Sequence, residues 1–229
     1  MELKQHDGWN RLYNEIELQH RCERGRNTIG IYGYFSDMEY VYLVLEFAPG
    51  GSLRDVLLKE QQLTPQRSAQ IIHHLCKTIR DCHQKFIIHR DIKPENLLCG
   101  GNDGPFKIAD FGISYCIGSK KGKCKLGSHT LEYAAPEILT GEGHGMEVDV
   151  YAMGVLLYEM LTGKTPFSST KVDEKEWEKE TTIMILEGKI NYWHGISENA
   201  NDLIMEMLKK DPKERISLKI IEVIVSKGL

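Results

Sequence analysis

The feature that most constrains the fold is a change of character at Ala48-Pro49-Gly50-Gly51-Ser52. Before it, residues 28–35 and 40–47 are rich in Ile, Tyr and Val and flank a short polar turn, which is typical of a β-hairpin. After it, hydrophobic residues recur mainly at three- and four-residue steps, which is typical of helices that bury one face. The sequence therefore predicts an α+β fold in which a small β-containing part precedes a larger, mainly helical part.

Most of the chain is predicted to be helical. One helix is expected over residues 9–22, ahead of the hairpin. Further helices are predicted over residues 66–85, 148–161, 174–187, 199–210 and 214–226. Short strands are predicted over residues 86–89, 96–99 and 106–109.

The predicted organisation is one domain of two parts that covers residues 1–229. Residues 1–47 form a partial N-terminal lobe with one helix and two strands, residues 48–52 form a hinge-linker, and residues 53–229 form the C-terminal lobe. A junction between two such parts is a common place for a ligand cleft. We therefore expect the functional site close to the linker.

Composition excludes several classes of protein. Hydrophobic residues make up 41% of the 229 residues, which is ordinary for a folded globular chain. No stretch approaches the ~18–20 apolar residues of a membrane span. The 29 basic and 33 acidic residues give a net charge of −4, which does not favour a nucleic-acid partner. Six Cys occur without a Cys-x-x-Cys pair, so a reduced compartment, either cytoplasm or nucleus, is predicted.

Three short motifs occur in an informative order. His89-Arg90-Asp91 begins a predicted loop that runs to Asn96 between two strands. Asp110-Phe111-Gly112 follows the last predicted strand, and Ala135-Pro136-Glu137 comes later. Any one of them is weak evidence, since isolated Asp and Asn residues usually cap helices or form turns. Together, with these flanking elements, they indicate a catalytic site.

These motifs resemble those of the eukaryotic protein kinase family. The resemblance implies a two-lobed fold with a truncated N-terminal lobe, ATP and Mg²⁺ as cofactors, and phosphate transfer to Ser or Thr hydroxyls of protein substrates. It makes Asp91 the acceptor of the substrate hydroxyl proton and makes Lys93 the group that balances charge on the γ-phosphate. Asn96 and Asp110 would supply oxygen ligands to Mg²⁺. Lys93 at this position is similar to the serine/threonine branch of the family.

The same resemblance implies further contacts to the nucleotide. Glu15 matches a helix Glu that pairs with an ATP-contacting Lys, although a Glu on a solvated helix face is the alternative. The Glu46 carbonyl and the Ala48 N–H would meet the adenine edge. The other residues that the resemblance assigns to this region are Leu45 as gatekeeper, Leu98 below the ring, and Glu95, which would also be available to a substrate Arg.

The resemblance also extends to residues that would support the site. Glu137 and Arg215 match a buried ion pair that anchors the substrate loop. Asp149 matches an Asp, at the start of a helix, that braces the catalytic loop. These residues are structural rather than catalytic in this interpretation.

Within the family, the chain resembles the Aurora kinases. The stretches that carry this resemblance are residues 15–19, 32–35, 41–49, 88–98, 107–112 and 130–133. Gln19 is the most specific position, since most kinases have an aliphatic residue there. The subgroup implies a mitotic kinase at the spindle or centrosome, with substrates in which Arg precedes the Ser or Thr, and with an activating protein partner. Polo-like and calcium/calmodulin-type kinases share much of this pattern and remain alternatives.

One part of the family pattern is absent from the sequence. No Gly-x-Gly-x-x-Gly precedes Glu15, and Lys4, eleven residues before it, is a weak candidate for the ATP-contacting Lys. The chain is therefore expected to be a kinase in which the N-terminal region with the glycine-rich loop is missing. The alternative is a catalytically silent pseudokinase or fragment that acts as a protein-binding module. A phosphotransferase of small molecules is a more distant alternative.

The segment between Asp110 and Glu137 also departs from the Aurora pattern. Ser119 and Ser128 are candidate phosphorylation sites whose phosphate could pair with Arg90. An unmodified polar loop is the alternative. Thr130 is expected to shape the site for the substrate hydroxyl.

Overall fold

The computed structural model describes residues 6–23, 27–38, 40–101, 104–125, 129–190 and 193–229. Its first part contains helix α1 (His6–Cys22) and an antiparallel hairpin of strands β1 (Ile31–Ser36) and β2 (Val41–Leu45). The helix and the hairpin predicted from the sequence are confirmed. The first strand begins later than predicted, because Thr28 forms an isolated bridge to Ile108 instead of joining the hairpin.

The larger part is mainly helical. Its helices are α2 (Leu53–Glu60), α3 (Pro65–Gln84), α4 (Pro136–Thr140), α5 (Glu147–Thr162), α6 (Glu174–Glu187), α7 (Glu198–Met207) and α8 (Leu218–Ser226). Short strands lie between α3 and α4, namely β3 (Ile87–Ile88), β4 (Leu97–Cys99), β5 (Phe106–Ile108) and β6 (Tyr115–Cys116). β3 pairs with β6, and β4 pairs with β5. Among the described helices, none combines the length and apolar composition needed to cross a membrane.

Two short helices, α2 and α4, are missing from the sequence prediction. α2 begins at a capping box, in which the Ser52 hydroxyl accepts from the Asp55 N–H and the Asp55 carboxylate accepts from the Ser52 N–H. α4 begins at Pro136 and ends at Thr140, followed by Gly141, whose φ of 71° lies in the left-handed region that glycine tolerates. Both helices are too short for a hydrophobic stripe to repeat over several turns, which is why periodicity predicts neither.

The last helix begins later than predicted. Pro212–Glu214 forms a single 3₁₀ turn instead of the start of a helix. The Asp211 side chain caps this turn by accepting from the Lys213 N–H at 2.9 Å. The regular helix, α8, then starts at Leu218.

Helix α5 lies at the centre of the helical part. Its residues from Val148 to Leu161 are all buried, so the helix has no solvent face over most of its length. Helices α3 and α7 pack on it, and α8 packs on α3. A helix that is buried on every side needs neighbours all round, so α5 forms the scaffold on which the other helices of this part assemble.

The small part is tied to the larger one through buried polar contacts. Gln19 on α1 is only 1% exposed and donates its side-chain N–H to the Ile29 carbonyl at 2.8 Å. The Ile29 N–H in turn donates to the Ile108 carbonyl on β5 at 2.9 Å. Helix α1 also contacts α3. These contacts place α1 beside α3 and β5, and Asn14 of α1 donates to the Ser114 carbonyl in the loop after β5.

Candidate active site

The loop between β3 and β4 is anchored by Asp149, which lies in the first turn of α5. The Asp149 carboxylate is completely buried and accepts from the His89 N–H at 3.0 Å and from the Arg90 N–H at 2.9 Å. His83 Nε2 lies 2.8 Å from the same carboxylate. Burial opposes ionisation of Asp149, but the hydrogen bond and charge of His83, the charge of His89 and the hydrogen bond from the Arg90 N–H together outweigh it and lower the pKa. The expected brace is confirmed.

His83 is the supporting residue that sequence reasoning missed. The sequence pattern assigns no role to His83, and the structure places its ring on Asp149. It follows Ile79 by four residues on α3, so it lies at the edge of the buried face of that helix. This position is the signal that could have found it. Its contact fixes the orientation of the carboxylate on which the loop rests.

Asp91 is surrounded by hydrogen-bond donors. Lys93 Nζ lies 2.7 Å from Asp91 Oδ2, and the Thr130 hydroxyl donates to Asp91 Oδ1 at 2.8 Å. Asn96 Nδ2 donates to Asp91 Oδ2 at 2.9 Å and to the Asp91 carbonyl at 2.8 Å. Burial alone would raise the pKa of Asp91, but the hydrogen bonds from Lys93 and Thr130 outweigh it and lower the pKa. The carboxylate is therefore ionised at neutral pH.

The second motif places a carboxylate at the end of β5. Asp110 is exposed and has a φ of 61°, in the left-handed region that is rare outside glycine. Its Oδ1 accepts from the Gly112 N–H at 3.1 Å. The Phe111 ring is fully buried, edge-on to His89 at 4.7 Å between ring centroids. Packing of Phe111 therefore turns Asp110 outward.

His89 connects the two motifs. Its ring is completely buried and its Nε2 lies 3.2 Å from the Ala109 carbonyl. Burial lowers the pKa of His89, and the nearby charges of Asp149, Asp91 and Asp110 oppose that shift. All three carboxylates thus lie within electrostatic range of the neutral His89 ring. The structure brings Asp91, Lys93, Asn96 and Asp110 into one region.

Glu15 on α1 faces the same region. Burial and, to a smaller extent, the charge of Asp110 together raise the pKa of Glu15 to about 7. Among the residues that the structure describes, no Lys or Arg forms an ion pair with Glu15. Lys4, the weak candidate for that partner, lies outside the described residues. The predicted Glu15 pairing therefore stays a prediction.

Replacing Glu15 with Gln should stabilise the protein at pH 8 by about 1–2 kcal/mol, because partial solvent exposure screens the full penalty of the raised pKa. The folded state prefers the protonated acid, so wild type loses stability as the pH rises from about 4.5 to about 7. Thermal denaturation of both proteins at pH 8 and pH 4.5 is the measurement. The advantage of Glu15→Gln should vanish at the lower pH. A variant that is less stable than wild type at pH 8 would show that Glu15 has a cationic partner.

The linker region carries the residues expected to contact a nucleotide. Leu45 is 40% exposed at the end of β2, and Leu98 lies opposite Lys107 in the β4–β5 pair. The Glu46 side chain lies 2.5 Å from Lys107 Nζ and accepts from the Gly30 N–H at 3.1 Å. The Ala48 carbonyl accepts from the Gly51 N–H at 3.2 Å. These contacts leave the predicted roles of the Glu46 carbonyl and the Ala48 N–H as predictions.

Comparison with known proteins identifies the family. The protein kinase domain matches residues 1–225. The chain belongs to the protein kinase family. The α+β two-lobed kinase fold that the motifs implied is therefore confirmed.

The relatives of this kinase domain include several Aurora kinases. Aurora kinase A-A of Xenopus laevis is 43% identical over 208 residues, which are 91% of this chain and 49% of the relative. Aurora kinase C of Mus musculus is 41% identical over 207 residues, which are 90% of this chain and 71% of the relative. Aurora kinase of Dictyostelium discoideum is 40% identical over 218 residues, 95% of this chain and 54% of the relative. The chain spans about half the length of the Xenopus relative. The predicted resemblance to Aurora kinases is confirmed.

The ion pair that supports the substrate side of this kinase domain is also present. The Arg215 guanidinium donates to Glu137 Oε1 at 2.6 Å and to Glu137 Oε2 at 2.7 Å. The side chain of Arg215 is only 1% exposed, and it also donates to the Glu147 carbonyl at 3.0 Å. The Tyr151 ring lies 5.0 Å below the guanidinium carbon. The predicted pair is confirmed, and it joins the end of the third motif to the last part of the chain.

Glu95 is engaged by a residue of the kinase domain itself. Arg54 Nε on α2 donates to Glu95 Oε1 at 2.8 Å, and Arg54 Nη1 donates to Glu159 Oε1 at 2.6 Å. The Tyr133 hydroxyl donates to the other oxygen of Glu159. The sequence predicted Glu95 as an acid available to a substrate Arg, and in this structure its carboxylate already holds an Arg.

The segment after Asp110 is described only in part. Ser119 is exposed, whereas Ser128 lies outside the described residues. Arg90, the expected phosphate partner, is 6% exposed and donates to the Ile113 carbonyl at 2.8 Å. Neither predicted phosphorylation site is tested by these contacts.

Proposed function

We propose that the chain is a serine/threonine protein kinase that transfers the γ-phosphate of ATP to Ser or Thr hydroxyls of proteins. The observation that carries this proposal is the environment of Asp91. Its carboxylate is ionised and held by Lys93, Thr130 and Asn96 in the loop between β3 and β4. A positioned, ionised carboxylate can accept a hydroxyl proton, and family membership supplies the reaction class.

Asp91 and Lys93 have different roles in the proposed transfer to the substrate hydroxyl. Asp91 accepts the proton of the substrate hydroxyl as that oxygen attacks phosphorus. Lys93, which contacts both Asp91 and Thr130, places a positive charge where negative charge develops on the γ-phosphate. Thr130 contacts both of them, since its hydroxyl accepts from Lys93 Nζ and donates to Asp91 Oδ1.

The side chains of Asn96 and Asp110 fit a magnesium site. The Asn96 amide nitrogen donates to the Asp91 carbonyl and carboxylate, so the amide oxygen is the atom left for a cation. Asp110 presents an exposed carboxylate. Mg²⁺ prefers such oxygen ligands and usually takes one or two protein groups together with phosphate oxygens. When bound there, Mg²⁺ would neutralise charge on the phosphate oxygens of ATP.

The remaining nucleotide contacts and the substrate preference are part of the same proposal. Leu45 and Leu98 would enclose the adenine ring, with the Glu46 carbonyl and the Ala48 N–H at its edge. In substrates with Arg ahead of the phosphorylated residue, that Arg would replace Arg54 as the partner of the Glu95 carboxylate. By similarity to the Aurora kinases, the protein would act in the cytoplasm or nucleus, at the spindle or centrosome, together with an activating protein partner.

A second candidate function is that of a catalytically silent protein-binding module. The observation that favours it is Glu15, which has no cationic partner among the described residues and a pKa of about 7. In an active kinase this Glu would hold the Lys that contacts ATP. Binding of Mg-ATP and transfer of its γ-phosphate therefore distinguish the two functions.

We expect Mg-ATP to raise the melting temperature of the full chain by several degrees and to support phosphorylation of a basic Ser/Thr peptide. Asp110→Ala should abolish both the transfer and the magnesium-dependent part of the shift. Asp202→Ala, at an exposed position on α7, is the matched control and should behave like wild type. If millimolar Mg-ATP causes no shift in wild type, the chain is not a kinase by itself and the binding-module function stands.

A further inference from the structure

The guanidinium group of Arg54 is bound by acids from two distant parts of the chain. Arg54 lies in the first turn of α2, and its Nε donates to Glu95 Oε1 at 2.8 Å. Its Nη1 donates to Glu159 Oε1 at 2.6 Å, and its Nη2 donates to the Tyr133 hydroxyl at 3.2 Å. All three guanidinium nitrogens are engaged. These acceptors therefore form a binding site for a guanidinium, and a side chain of the protein itself fills it.

The two carboxylates of this site differ in their access to solvent. The side chain of Glu159, near the end of α5, is 6% exposed, and its second oxygen accepts from the Tyr133 hydroxyl. The side chain of Glu95 is 47% exposed, and among the described residues Arg54 is the one cation that pairs with it. The Glu95 half of the site is therefore open to a cation from outside, whereas the Glu159 half is buried.

The site holds more negative charge than positive charge. Two carboxylates share the single positive charge of Arg54, so one negative charge in this group has no counter-charge. A second cation is therefore attracted to the exposed Glu95 carboxylate. A guanidinium binds a carboxylate best through both oxygens. Because Arg54 already holds Glu95 Oε1, an incoming guanidinium forms that pair of bonds only when Arg54 releases it.

Glu95 belongs to the same loop as the proposed catalytic groups. It follows Lys93 by two residues, in a 3₁₀ turn on which α2 packs. Lys93 Nζ lies 2.7 Å from Asp91 Oδ2. A peptide whose hydroxyl lies beside Asp91 therefore has its neighbouring residues within reach of Glu95.

A cavity beside Arg54 gives its side chain an alternative position. The cavity has a volume of about 460 Å³, and its walls include Arg54, Glu159, Gln61 and Thr162. Glu159 thus borders the cavity and also binds the guanidinium. Arg54 can release Glu95 and keep its bond to Glu159, so the buried carboxylate is not left unpaired.

We propose that Arg54 is a specificity-determining residue that competes with the Arg side chain of a peptide substrate for the Glu95 carboxylate. This competition rests on the proposed function, and it adds an obstacle that the preference for Arg must overcome. In the exchange, the hydrogen bond from Arg54 Nε to Glu95 Oε1 breaks, and the peptide guanidinium donates to Glu95 instead. No covalent bond changes.

The exchange makes the preference for Arg weaker than an unoccupied acidic site would give. A peptide Arg gains charge-assisted hydrogen bonds only after Arg54 loses one, so the net gain is the difference between the two. We therefore expect the wild-type protein to favour an Arg peptide over its neutral analogue by less than about tenfold. Without the charge of Arg54, the preference should rise by about tenfold, because no competing cation has to be displaced.

A pair of peptides that differ only in charge tests this competition. Each has a Ser preceded by either Arg or citrulline, which has the shape of Arg without its charge, and kcat/KM is measured with Mg-ATP. In Arg54→Gln the ratio of the Arg to the citrulline peptide should rise by about tenfold. The Gln amide can still donate to Glu159, but it carries no charge. In Glu95→Gln the two peptides should become equivalent.

A control variant and a binding measurement separate this competition from other effects. Arg67→Gln is the matched control and should keep the wild-type ratio, since Arg67 is 35% exposed and pairs with Glu60 at 2.7 Å in another part of the surface. Binding of the same peptides with Ala in place of Ser is measured by fluorescence anisotropy without ATP. If no protein transfers phosphate while the binding ratios change as expected, the proposed function fails and the competition stands.

Three outcomes would overturn the competition. The first is a wild-type protein that binds the Arg peptide more than about tenfold tighter than the citrulline peptide, a readout that does not depend on whether a variant folds. The second is an Arg54→Gln protein that melts like wild type but has an unchanged or lower ratio. The third is an equal loss of affinity for both peptides in Arg54→Gln, or no binding of either peptide to any of the proteins.

Discussion

Replacing Asp91 with Asn should lower the rate of phosphate transfer by about 10²–10⁴-fold, which is the usual contribution of a positioned general base. The Asn amide cannot accept a proton, whereas the Asp91 carboxylate has a pKa below its ordinary value of 3.8 and is ionised. Asn has nearly the same size and can still accept from Lys93 or Thr130. The measurement is transfer of labelled γ-phosphate from ATP to a basic Ser/Thr peptide.

The pH dependence and a control substitution make this result specific. Because the pKa of Asp91 is lowered, protonation of Asp91 should not reduce the wild-type rate between about pH 8 and pH 5. Asp202→Asn, on the exposed side of α7, should leave the rate unchanged. An Asp91→Asn protein that melts like wild type and keeps more than about a tenth of the activity would exclude Asp91 as the base.

Removing Glu137 should lower the free energy of unfolding by about 3–5 kcal/mol, because it leaves the Arg215 guanidinium buried without its counter-charge. Arg215 has a side-chain exposure of 1%, so water cannot replace the lost carboxylate. For a chain of this size we expect the melting temperature of Glu137→Ala to fall by about 10 °C. Thermal denaturation followed by circular dichroism is the measurement.

Two further variants separate the ion pair from general surface effects. Glu187→Ala removes one partner of the exposed pair between Lys189 and Glu187, whose side chains are 83% and 53% exposed, and it should change stability by less than about 1 kcal/mol. The double substitution Glu137→Leu with Arg215→Met replaces the buried charges by apolar groups and should recover part of the loss. A Glu137→Ala protein that melts within about 2 °C of wild type would show that the pair does not stabilise the fold.

The sequence predicts the long amphipathic elements and the motif loop well. Helix α6 has the predicted bounds, Glu174–Glu187, because Asp173 caps its start and Gly188 ends it. Helix α3 also agrees within one residue at each end. The ion pair of Glu137 with Arg215 follows from family resemblance rather than from periodicity, since 78 residues separate the two in the chain.

Other features depend on tertiary contacts that a linear pattern does not show. His83 looks like an ordinary helix residue until α5 brings Asp149 to its ring. Glu95 looks free in the sequence, and only the packing of α2 reveals that Arg54 holds it. In each case, the missing information is which helix lies next to which.

The burial of α5 on all sides determines the order in which parts of the molecule exchange their amide hydrogens with solvent. The amides of α5 should exchange only when the whole helical part unfolds, since no face of that helix is open to water. The β1–β2 hairpin, in which Tyr32 is 73% and Phe35 is 59% exposed, should exchange through local openings. Because Asp149 belongs to the first turn of α5, the loop that carries Asp91 is attached to the slowest-exchanging element. The β1–β2 hairpin can therefore open locally many times while the position of Asp91 is maintained.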